Sequence, residues 1–190
     1  RLKGESLRDQ RIVILGAGIA GHTAALHLSR LLPKGHTVTV VSPNSNWNWI
    51  PSNIWVGVGK MSKQDVVFPL APVYRKKGVQ FVQAKATAIW PRGDADDARP
   101  AVDVEHTSSD LAGQTQRLRY DYLINATGPQ LKFQMTEGLG PHGGHTVSVC
   151  TADHAVEAAN KLDETIAKLK AGEPQTLIVG MGHGTCTCEG

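Results

Sequence analysis

Cysteine, aromatic side chains, long apolar runs and surplus charge are all scarce in these 190 residues. Each scarcity closes off a class of protein. There are three cysteines, Cys150, Cys186 and Cys188, all at or beyond residue 150. An odd number clustered at one end is not the disulfide framework of a small secreted domain. Cys186-x-Cys188 also lacks the two-residue gap usual for a structural zinc site. No metal site is expected. The 20 Lys and Arg against 17 Asp and Glu leave a formal charge of only +3. The basic residues are scattered, so no nucleic-acid partner is expected. No apolar run approaches the roughly 18 residues of a membrane span, since Val66–Val73 is short and holds two prolines. No secretory signal is expected from these residues.

What remains is an ordinary globular composition, 41% hydrophobic and 19% charged, with 20 glycines that are not spread at random. A chain of this length can bury about 70% of its unfolded surface. Arg11–Leu15 is a short β-branched run that reads as a buried parallel strand. Gly16-Ala-Gly18-Ile-Ala-Gly21 follows at once, and then His22–Leu32 carries apolar residues at helical spacing until Pro33. Thr37–Val41 is the next strand. Strand, glycine turn, helix and strand make a βαβ unit, and in that context Gly-x-Gly-x-x-Gly is a dinucleotide fingerprint. Gly16 serves the tight turn, Gly18 the approach of backbone to a pyrophosphate, and Gly21 the packing of helix on strand. The acidic residue that commonly grips the ribose is missing. Ser42 stands at the end of the second strand instead, which leaves NAD, NADP and FAD unresolved by this motif.

Further along, Ser42–Gly59 reads as a loop rich in Asn, Trp, Pro and Gly, and Val66–Tyr74 as a short helix or extended segment. Val79–Gln83, Thr87–Trp90, Ala101–Glu105, Arg117–Tyr120 and Tyr122–Ala126 read as strands, with an acidic turn over Arg92–Arg99. Thr151–Ala171 has helical periodicity and stops at Gly172. Thr176–Val179 reads as a strand leading into a second glycine turn at Gly180. The expected fold class is α/β: a Rossmann-like domain with a parallel sheet and a small antiparallel insertion, plus the start of a second Rossmann-like domain. Residues 1–150 form the first part of the former, and 151–190 the helix and opening strand-turn of the latter.

Cys150 is the most informative single position. Thr151 suits an N-cap, which puts Cys150 just ahead of a helix N-terminus, where the dipole favours a thiolate. His154 follows about one turn later, and Asp153 is placed to cap the turn or orient it. From spacing alone, Cys150 reads equally well as a small buried hydrophobe and His154 as a solvated helix residue. Trp47, Trp49 and Trp55 crowd one loop, as core anchors or as walls of a ligand pocket. Arg75-Lys76-Lys77 reads as a solvated basic face, with an anionic contact as the alternative.

Four segments carry a resemblance: Ile50-Pro-Ser-Asn-Ile-Trp-Val-Gly-Val-Gly59, Asp65-Val-Val-Phe-Pro69, Tyr120-Asp-Tyr-Leu-Ile-Asn-Ala-Thr-Gly-Pro129 and Val149-Cys-Thr-Ala-Asp-His-Ala155. Together they resemble the sulfide:quinone oxidoreductases, within the pyridine nucleotide-disulfide oxidoreductase-like flavoproteins. The resemblance runs from about Arg11 to Gly190. It implies FAD in the first unit, with Thr127 and Gly128 at the strand end that lies against it. It implies redox cysteines beside the flavin: Cys150, and either Cys186 or Cys188, the family position falling between them at Thr187. His154 matches the family histidine of the active-site surroundings. Sulfide and quinone are the implied substrates, and a peripheral membrane position is implied with them, through the family's C-terminal half, where its quinone pocket also lies. The oligomeric state stays open, a homo-oligomer included. The alternatives are a type II NADH dehydrogenase and a noncatalytic nucleotide-binding fragment.

Overall fold

A computed structural model describes residues 9–141 and 143–180. They form two compact units, one of residues up to 47 together with 68–129, the other of 48–67 together with the residues from 130 onward.

The first unit is built on a six-stranded sheet. The strands are β1 (Arg11–Leu15), β2 (Thr37–Ser42), β5 (Gln80–Trp90), β6 (Ala101–His106), β7 (Thr115–Arg119) and β8 (Tyr122–Asn125), in the order β7-β6-β5-β2-β1-β8. Strands β8, β1, β2 and the first part of β5 are parallel, whereas β5, β6 and β7 are antiparallel. A mostly parallel sheet with a small antiparallel addition is the expected Rossmann-like arrangement. β1 and β2 are buried almost throughout, as central parallel strands must be when both faces are covered. On one face α1 (Ile19–Leu31) and α4 (Leu70–Lys77) pack through Ala25, Leu28, Leu32, Leu70, Tyr74 and Val79 onto Ile12, Ile14, Val38 and Val40. The other face carries Val13, Leu15, Val41, Val102, Val104 and Tyr120.

Two segments expected as separate strands, Val79–Gln83 and Thr87–Trp90, are one strand. β5 runs unbroken, pairing with β2 through Gln80–Gln83 and with β6 through Ala84–Trp90, with a bulge between Ala86 and Ala88. The acidic turn after it is held by ion pairs. Arg117 reaches Asp94 (2.5 Å) and Asp103 (2.6 Å), and Arg119 reaches Asp94 at 2.9 Å. Trp90 donates its indole N–H to Asp103 at 2.8 Å.

The Asn- and Trp-rich stretch is more regular than a loop. The chain leaves the first unit at β3 (Asn46–Asn48), makes a 3-10 turn at Ile50–Ser52, α2 (Asn53–Gly57) and α3 (Lys63–Val66), and returns at β4 (Val67–Pro69). A reciprocal amide pair explains the order, because each of Asn48 and Asn53 donates its side-chain N–H to the other's oxygen, at 2.9 and 3.0 Å. Asn53 is fully buried, so its amide must be satisfied inside the protein. In the second unit α5 (Ala152–Lys170) packs on α2 and α3 through Ala152 and Ala155, with Val56 and Val66 opposite. Thr176–Val179, expected as a strand, pairs with no described strand, and Ile178 and Val179 are exposed. A strand exists only by virtue of its neighbour, and β-branched residues cannot supply one.

Candidate functional site

The glycine turn sits where three parallel strands end together. Leu15 is in register with Val41 on one side and Asn125 on the other. Gly16 donates its N–H to Val41 O and Ala126 donates to Leu15 O, both at 2.8 Å. Gly16 has φ +97, and a Cβ there would lie 2.2 Å from Ala126 O, so no other residue fits. A Cβ on Gly21 would lie 2.0 Å from Gly16 O, which is what lets the first turn of α1 rest on the glycine turn. Gly18 is different. Its φ is −70 and a Cβ would meet nothing within 4 Å, so the protein's own packing does not ask for glycine.

That space lies off the N-terminus of α1, a 13-residue helix with no side-chain cap and no acidic residue in its first turn. Uncapped amides and the positive end of the helix dipole are left for an anion. A cavity of about 370 Å³ opens among Leu15, Ala86–Ile89, Asn125 and Thr127. The Ala86–Ile89 side of this cavity carries no motif in the sequence; only the bend of β5 brings it beside the strand ends. Thr127 donates its hydroxyl to Asn125 Oδ1 at 2.9 Å, and Gly128 follows with φ +71 and open space around it. Ser42 is buried at the end of β2, where its Oγ accepts from Asn44 N at 3.3 Å. FAD fits these residues: a glycine cradle open to a pyrophosphate, an uncapped helix start and a cavity at adjoining strand ends.

The second cluster is the start of α5. Thr151 is extended, and its Oγ1 accepts from His154 N at 3.1 Å, so it is the N-cap. Cys150 precedes it with its N–H given to Ser148 Oγ at 3.1 Å, and it is exposed, which excludes the buried-hydrophobe reading. His154 is half-buried, with Phe133 edge-on at 5.8 Å between ring centroids. The Asp153 carboxylate pairs with Lys63 of α3. Phe133, Ser148 and Lys63 carry no motif in the sequence, and Lys63 lies 90 residues from its partner. Cys186 and Cys188 lie outside the described residues. Of the tryptophans, Trp47 is half-buried against His22 and Phe68, whereas Trp49 and Trp55 are 44% and 51% exposed. Core anchoring therefore accounts for the first only.

Residues 10–188 match the pyridine nucleotide-disulphide oxidoreductase family. The chain belongs to that family. It is 30% identical over 90% of its length to a sulfide-quinone reductase of Aquifex aeolicus, covering 34% of that protein. The solved sulfide:quinone oxidoreductase from the same organism superposes with a TM-score of 0.68 over 83% of this chain and 32% of that one. An external alternative NAD(P)H-ubiquinone oxidoreductase of Solanum tuberosum is 27% identical over 84% of the chain, covering 26% of that protein. The chain thus spans about a third or less of the length of these relatives. The Plasmodium falciparum NDH2 solved with NADH shares the fold, with a TM-score of 0.65 at 20% identity over 86% of this chain and 30% of that one. FAD is the cofactor of this family.

Proposed function

We propose that the protein is a flavoprotein that oxidises sulfide through redox cysteines and passes the electrons to a quinone, working at a membrane surface as a peripheral protein. No described helix is long and apolar enough to cross a bilayer. Residues 1–150 then supply the first part of the FAD-binding domain and 151–190 the opening of a second dinucleotide-binding domain. The observation that carries the sulfur chemistry is an exposed cysteine placed immediately before a capped helix start.

Bound FAD supplies two-electron redox chemistry between a sulfur donor and a quinone. Gly16, Gly18, Gly21 and the first amides of α1 hold its pyrophosphate, Ser42 serves the ribose, and Thr127 and Gly128 admit it close to backbone. Cys150 presents its sulfur at the positive end of α5. Hydrosulfide attacks a disulfide or polysulfide sulfur carried by Cys186 or Cys188. One S–S bond forms and one breaks, leaving a persulfide on one partner and a thiolate on the other. His154 takes or gives the accompanying proton at an imidazole nitrogen. The net change converts hydrosulfide, a proton and a quinone into zero-valent sulfur and a quinol, so atoms and electrons balance. Replacing Cys150 or Cys186 with Ala is expected to slow flavin bleaching by sulfide at least tenfold in stopped-flow absorbance. Ordinary rates in both variants would sink these roles. The kinship with NAD(P)H-ubiquinone oxidoreductases favours a second reading, in which NADH is the donor.

A further inference from the structure

The helix of the glycine cradle carries a buried histidine just past the last glycine of the turn. His22 donates its backbone N–H to Gly18 O at 2.9 Å and so closes the first turn of α1. Its neighbour Gly21 seats the same turn on Gly16 O. His22 is 9% exposed, and its ring lies among those of Trp47, Phe68 and Tyr74, with centroids 5.4, 5.9 and 5.4 Å away. Its Nδ1 is 3.0 Å from the hydroxyl of Tyr74, which is fully buried in α4 with Phe81 of β5 against its ring. An apolar pair would fill this space without desolvating an imidazole and a phenol. The chain instead places a hydrogen bond there, between residues 52 apart, joining the cradle's helix to α4.

The direction of that bond follows from the partners. Burial raises the Tyr74 hydroxyl to about 12, so the phenol keeps its proton and needs an acceptor. Among the described residues its hydrogen-bond partner is His22 Nδ1. Tyr74 therefore donates and His22 accepts, which requires a neutral imidazole. Burial also pushes His22 below its ordinary 6.5. A proton on Nδ1 would set two donors against each other and leave the buried phenol without an acceptor. The elements around the pair, α1, α4, β3, β4 and β5, hold no carboxylate to meet the new charge. Their other titratable groups, His27, Arg30, Arg75, Lys76, Lys77 and Lys85, are exposed and make no bond to the pair.

We propose that the His22–Tyr74 pair is an acid-sensitive latch on the cofactor cradle: protonation of His22 frees the first turn of α1, and the flavin is released. The latch rests on the flavin's place at the glycine cradle and not on the electron donor. A histidine held below its ordinary value stabilises the latched form above pH 6.5, and that stability is lost as pH falls from there toward the lowered value. The test equilibrates flavin-loaded protein between about pH 8 and about pH 5. Free flavin is measured by fluorescence after ultrafiltration, with circular dichroism on the same samples. The flavin Kd is expected to rise below pH 6.5 by up to about tenfold per pH unit, as one proton allows, while the secondary structure holds. Tyr74→Phe removes the donor that keeps the imidazole neutral, so release moves to higher pH. His22→Leu combined with Tyr74→Phe keeps the flavin and flattens the curve. A flat parent curve, a double variant that releases at the parent's pH, or release only together with loss of secondary structure overturns the latch. Carbon-13 spectra of labelled histidine in the parent need no substitution: His22 titrates over the pH range of release, and an imidazole still neutral after release overturns the proposal. Full affinity in Gly18→Ala at neutral pH would remove the cradle itself, whereas full affinity of the parent in acid removes only the latch.

Discussion

The glycine turn and the start of α5 are both helix N-termini, but they are built from different parts of the chain. At Gly16–Gly21 the geometry is made by backbone, with a Cβ excluded at Gly16 and Gly21 by carbonyl oxygens only 2.2 and 2.0 Å away. No side chain caps α1. At α5 the first turn is capped by Thr151, tied down by Asp153 on Lys63 and flanked by Phe133 on His154. On the proposed function, the uncapped start of α1 receives the cofactor's pyrophosphate and the capped start of α5 presents Cys150.

The difference can be broken or sharpened by substitution. Gly16→Ala puts a Cβ into Ala126 O at a φ that L-residues rarely adopt, so about 3 kcal/mol or more of stability is expected to go, with the flavin. Urea denaturation and absorbance read both losses. Gly18→Ala separates the roles, since stability holds within about 0.5 kcal/mol while flavin affinity falls at least tenfold on titration. Full affinity in that variant would mean that the open cradle is not a ligand site. At the other helix, Thr151→Ala removes one side-chain bond to His154 N and is expected to cost about 1 kcal/mol in thermal unfolding, with flavin content unchanged.

The smallest effect lies away from both helix starts. Asp103 is held down from the ordinary 3.8 to about 2, first by its hydrogen bonds from Arg117. A carboxyl whose pKa is lower in the folded state adds stability above its unfolded value, and loses it as pH falls through the folded value. Asp103→Asn should therefore flatten the fall in stability between pH 3.8 and about 2. A curve as steep as the parent's would assign that fall to other groups.

The parallel core was legible in the sequence because its signals are local. Arg11–Leu15 is strand β1 residue for residue, and Thr151 caps α5 as its side chain suggests. What was hidden depends on distance along the chain. The unbroken β5 takes β2 and then β6 as its partners, and the order between Asn46 and Pro69 needs the reciprocal pair of Asn48 and Asn53. In the candidate site, Gly16, Gly18 and Gly21 announced themselves, since a backbone site has to be written in glycine. Phe133 and Lys63 had no such signature, because a packing ring and a distant lysine are ordinary residues until the fold places them. Thr176–Val179 has the composition of a strand and no described partner, which shows that propensity proposes and pairing decides.

The proposed function makes sulfide the electron donor of the flavoprotein to which this chain belongs. Anaerobic absorbance of the flavin-loaded protein, with sulfide and NADH added to parallel samples, tests it most directly. Prompt bleaching by sulfide and none by NADH is the predicted result. Bleaching by NADH alone would contradict it and make the protein a dehydrogenase.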